Sequence, residues 1–106
     1  MIYENPGDEI KLAKQRLVEA QRTLDITKEQ LAVYNQALAD WADRTLNIAA
    51  TGGTSPSNWQ ALFSQHTWLV NMMSTTESLV DLAELNVRRA KEWIADATKR
   101  QANPQP

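Results

Sequence analysis

Few residues of this chain have the type and spacing that chemistry needs. His66 is the single histidine. As a general base it would need a group to orient it and a nucleophile within reach. No Asp or Glu lies between Thr45 and Thr76, so His66 reads as a structural histidine with one ring nitrogen bonded, facing Trp41. Asp40, Asp43 and Arg44 read as a solvated helix face. Glu84 and Arg88 have the spacing of a helical ion pair. Arg88-Arg89-Ala90-Lys91 carries the charge to meet phosphate, but Glu84, Glu92 and Asp96 surround it. Gly52-Gly53 lacks the Lys-Ser/Thr that would complete a phosphate loop. The chain has no cysteine, which excludes disulfides, thiolate zinc sites and thiol nucleophiles. A metal site would have to be built mostly from carboxylates. No nucleophile, base and orienting group can be assembled, so the expectation is a protein that is not an enzyme, with no catalytic, cofactor-binding or metal residues.

The elements that carry these side chains are two long helices. Asn5-Pro6 reads as a helix start, with Asn as cap and Pro in the first helical position. Asp8 and Glu9 then place negative charge in the first turn, where the helix dipole favours it. No Gly or Pro occurs from there to Ala50. Thr51-Gly52-Gly53-Thr54-Ser55-Pro56 is the internal breaker; Gly52 suits the left-handed position that ends a helix. The second helix restarts at Ser55-Pro56, or through a capping box of Ser57 with Gln60. The expected layout is one helical-hairpin domain over residues 1–106: helix about 6–50, turn about 51–56, helix about 57–101, polar tail 102–106. Each helix of roughly 45 residues would run about 67 Å at 1.5 Å per residue.

Periodicity sets how the helices meet. Ile10, Ala13, Leu17, Ala20, Leu24, Thr27, Leu31, Tyr34, Leu38, Trp41, Thr45 and Ile48 follow alternating steps of three and four. So do Trp59, Leu62, His66, Leu69, Met73, Thr76, Val80, Ala83, Val87, Ala90, Ile94 and Ala97. Such a run is a coiled-coil seam. A turn near residue 53 pairs residues whose numbers sum to about 107, so that large meets small away from the turn: Ala13 with Ile94, Leu17 with Ala90, Ala20 with Val87, Leu24 with Ala83. Near the turn large meets large, as in Leu38 with Leu69 and Trp41 with His66, which predicts helices closer at the open end. Flanking charges suggest Lys28 facing Glu77, Asp8 near Lys99 and Arg16 stacked on Trp93. The fold class is all-α, an antiparallel coiled-coil-like hairpin that assembles into a four-helix bundle or larger oligomer.

One seam leaves apolar residues over. The first helix adds Leu12, Ile26, Val33 and Ala37; the second adds Phe63, Trp68, Val70, Met72, Leu79, Leu82 and Leu85. A small two-helix core seldom holds a fold alone. The charge map points the same way, because the 32 residues from Thr45 to Thr76 contain no Asp, Glu, Lys or Arg. Depletion of charge beside Trp, Phe and Met is the composition of an interface core. The expected partner or oligomer surface is therefore Ile26, Val33, Trp59, Phe63, Trp68, Val70, Met72, Leu79, Leu82 and Leu85, with the turn half as the docking end.

Composition bounds the partners. With 106 residues, 11 Lys and Arg against 13 Asp and Glu, the net charge is −2, without the basic excess of a nucleic-acid binder. No apolar run is long enough to span a membrane, and residues 1–8 carry no signal-peptide pattern, so the expected compartment is the cytoplasm or a virion. A chain of this length with Asn58-Trp59-Gln60-Ala61 between two helices resembles the WXG100 secreted proteins. That resemblance implies a secreted four-helix dimer; the family motif has Gly where Ala61 stands, and its C-terminal Tyr-x-x-x-Asp/Glu has no counterpart around Trp93 to Ala97. The reading that results is a protein–protein interaction module, a structural or accessory component of a viral or bacterial assembly. The alternative is a small inhibitor or adaptor that binds one host protein through its uncharged turn end.

Overall fold

The computed structural model describes residues 6–102, and the proposed Asn5 cap and the tail 103–106 lie outside them. Two helices are present, α1 (Pro6–Ala50) and α2 (Pro56–Ala102), packed against each other as a hairpin. α1 carries Asp8 and Glu9 in its first turn, and α2 ends with Lys99 and Arg100 in its last. Both placements complement the helix dipole.

The reversal between the helices follows from glycine and proline chemistry. Gly53 N–H donates to the Ile48 carbonyl at 2.9 Å and Gly52 N–H to the Ala49 carbonyl at 3.3 Å. This nested pair of bonds is a Schellman end, which needs a left-handed residue just past the helix. Gly52 supplies it with φ of 105° and Gly53 follows at 83°. Ser55 then caps α2, its hydroxyl accepting from the Asn58 N–H at 3.3 Å, and Pro56 takes the first helical position. The cap is thus Ser55-Pro56, not a box of Ser57 with Gln60.

The chain divides into two compact units, one formed by residues up to Thr27 with those from Val80 onward, the other by Lys28–Leu79. In the open-end unit, Ala13, Ala83, Ala90 and Ala97 are between 0% and 4% exposed, with Leu24, Val80 and Val87 buried among them. Thr27, also buried, keeps its hydroxyl satisfied by donating to the Thr23 and Leu24 carbonyls of its own helix, each at 3.0 Å.

In the turn unit the buried residues are Leu69 and Thr76, and Thr76 donates to the Met72 carbonyl at 2.7 Å. Tyr34, Leu38, Trp41, Leu62, His66 and Met73 are half-buried. Their side chains are too large for one facing helix to cover completely. Trp41 and His66 meet as the numbering rule requires, ring centres 4.6 Å apart. The Trp41 indole N–H donates to the Leu62 carbonyl at 2.9 Å.

The 24 seam positions are all buried or half-buried. Among the described residues, one buried residue lies off the seam. Glu9 accepts from the Trp93 indole N–H at 2.9 Å and from Arg100 at 2.7 Å. Glu9–Arg100 is the ion pair among the described residues; Asp8 with Lys99, Lys28 with Glu77 and Glu84 with Arg88 do not pair. Trp93 is engaged with Glu9 and is not stacked under Arg16. These two donors, Trp93 first, hold the Glu9 carboxyl below its ordinary value of 4.5.

Two expectations follow. Ala83→Leu should overpack the seam and cost about 1–3 kcal/mol in chemical denaturation; an unchanged midpoint would refute the register. Because the folded state lowers the Glu9 pKa, its contribution is present above pH 4.5 and is lost as pH falls through and below that value. In thermal melts, wild type should exceed Glu9→Gln at neutral pH, and the gap should close in acid. A gap that stays constant with pH would remove the carboxylate from the account.

Candidate functional site

The residues singled out for chemistry are placed as follows. His66 is packed on Trp41 and makes no hydrogen bond among the described residues, so aromatic contact takes the place of the bond expected for a ring nitrogen. Asp40 is exposed and accepts from the Gln36 amide at 2.9 Å. Arg44 donates to the Gln65 side-chain oxygen across the hairpin at 2.9 Å. Glu84 and Arg88 are both exposed. Among the described residues no three acidic or imidazole side chains come together as a metal cluster, and no helix is long and apolar enough to cross a membrane.

What stands out is exposed apolar surface. In the turn unit Val33, Leu46, Phe63, Trp68, Val70 and Leu79 are between 42% and 68% exposed. Trp59 and Met72 are half-buried. In the open-end unit Ile26 and Leu82 are exposed and Leu85 half-buried. Leu46 and Val18, at 68% and 61%, belong with this set and escaped the sequence reading. Both follow directly on a seam residue, and extending the off-seam criterion to those positions finds them.

These residues do not form one surface. Each residue advances about 100° around a helix, so Phe63 and Val70 share one flank of α2 while Trp68, Met72 and Leu79 share the opposite one, with the seam between. On the first flank Trp59 and Phe63 lie nearly parallel, ring centres 6.0 Å apart at 18°. With Pro56, Gln60, Ser64 and Thr67 they line a hollow beside the turn. A Cβ at Gly53 would make only an ordinary contact with the Trp59 ring, at 3.7 Å, so it is the φ of 83° that favours glycine there. On the second flank the Tyr34 ring meets Trp68 edge-to-face at 6.0 Å and 75°, which braces Trp68 against α1.

The open-end unit presents a different surface. Arg16, Thr23, Asn86, Arg89 and Trp93 wall a hollow of about 520 Å³ over Ala20 and Ala90. Its lining is mixed, polar and apolar in about equal parts, and Glu19 in it offsets part of the arginine charge.

Comparison with protein families, with curated proteins and with solved structures finds no match for this chain.

Proposed function

We propose that this protein is a non-enzymatic protein–protein interaction module that serves as a structural or accessory component of a larger viral or bacterial assembly. The observation that carries this reading is the stretch from Thr45 to Thr76, where Leu46, Phe63, Trp68 and Val70 stand exposed and no Asp, Glu, Lys or Arg occurs. Protein surfaces that meet only water interrupt such patches with charge. Interfaces lose charge and gain Trp, Phe and Met. The hairpin supplies a braced platform for that surface, with Trp68 held by Tyr34 and Trp59 by Phe63.

A second reading is favoured by the hollow beside the turn. Pro56, Trp59 and Phe63 form a shallow, open aromatic hollow on one helix end, on which a side chain of one target protein could pack. In that case the chain is an inhibitor or adaptor.

Copy number separates the two. A structural component copurifies with a particle at fixed, multiple copies; an inhibitor forms a defined complex with one target and leaves the particle intact without it. The surface itself is tested by Trp68→Lys with Leu82→Lys. Both positions are exposed, so circular dichroism should show unchanged helicity. Light scattering over a range of concentrations should show weakened association. Full association in the double variant would place the contact elsewhere.

A further inference from the structure

The hollow of about 520 Å³ lies wholly within the open-end unit. Its floor is Ala20 and Ala90, side chains small enough to leave space between the flanks of α1 and α2. Its volume falls in the range of small-ligand sites, about 300–1,000 Å³. Arg16 lines it from α1 and Arg89 from α2. Among the described residues neither guanidinium has a hydrogen bond or an ion pair, although Glu19 lines the same hollow. The Asn86 amide, also in the lining, has no such partner either.

Trp93 supplies a fixed wall. Its indole N–H donates to the buried Glu9 carboxylate at 2.9 Å, and the same oxygen accepts from Arg100 at 2.7 Å. With its one donor engaged, the ring offers the hollow only apolar surface. A braced flat wall thus stands in one hollow with two unpaired cationic forks. We propose that this hollow binds a small organic acid: a flat apolar body that lies against Trp93 and carries one carboxylate gripped by Arg16 and Arg89. The proposal goes beyond the protein-contact reading and does not depend on it.

Charge selects the ligand class. Two arginines against Glu19 leave a single positive charge in the hollow, the complement of one carboxylate. A phosphate monoester carries a charge of about −1.5 to −2 at neutral pH, more than the hollow balances. Guanidinium forks match the two oxygens of a carboxylate. A lone Asp or Glu side chain of a partner protein would bring the carboxylate but no flat body for Trp93. A nucleic-acid backbone would meet Glu19 in the hollow and also Glu92 and Asp96, three and seven residues beyond Arg89 on its face of α2.

The four tryptophans make the test direct. In nuclear magnetic resonance of the isotope-labelled full chain each gives one indole N–H signal, and Trp93→Phe identifies the one to follow. Titration with naphthoate should shift the Trp93 signal saturably. Arg16→Gln with Arg89→Gln, both at exposed positions, should keep the circular dichroism of wild type and weaken naphthoate roughly tenfold. Naphthamide, flat but uncharged, should bind wild type weaker than naphthoate by a similar factor. If the double variant lost helicity, the comparison of naphthoate with naphthamide on wild type would decide alone. A Trp93 signal that does not move, equal affinity in a folded double variant, or naphthamide binding as tightly as naphthoate would overturn the site. Tighter binding of naphthyl phosphate than of naphthoate would overturn the carboxylate as its ligand.

Discussion

A pair of helices has a single seam, and only side chains small enough to be roofed by the facing helix disappear into it. In this chain that constraint decides what is buried. Alanines reach almost complete burial in the open-end unit, whereas the tryptophans and tyrosine of the turn unit remain partly open. Thr27 and Thr76 are tolerated in the seam because their hydroxyls return to carbonyls of their own helix, which spares the cost of an unpaired buried polar group; the buried Thr45 hydroxyl has no such partner among the described residues. Of the larger residues, Trp41 uses the polar part of its ring to hold on, at the Leu62 carbonyl.

The same constraint explains why apolar surface is left over. Extra leucines and aromatic residues cannot enter a seam that is already filled, so they stand on the flanks. Contact with another surface is the remaining way to remove them from water. The flanks differ in character: one carries the stacked Trp59 and Phe63 beside the turn, the other the Trp68 stripe braced by Tyr34.

The seam was legible in the sequence because a period between three and four over five heptads has one structural meaning. Glu9 was not. Its burial depends on Trp93 and Arg100, more than 80 residues away, and no pattern within α1 announces them. The ion pairs suggested by charge spacing failed for a related reason. An exposed pair contributes little, so charge spacing alone does not hold two solvated side chains together. The apolar surplus was visible by region but not by angle. Grouping Phe63 with Trp68 as neighbours in sequence joined residues that α2 turns to opposite sides.

The tight turn at Gly52 and Gly53 has a kinetic consequence. It makes contact distance along the chain grow steadily away from the turn. Trp41 reaches Leu62 across 21 residues, while Glu9 reaches Arg100 across 91. Closing the longer loop from an open chain costs about 1.3 kcal/mol more in lost freedom than closing the shorter one. The first pairing during folding is therefore favoured beside the turn, among side chains that end only half-covered. The well-buried alanine seam lies at the end where closure costs most, so the part of the hairpin that is easiest to close differs from the part with the deepest burial.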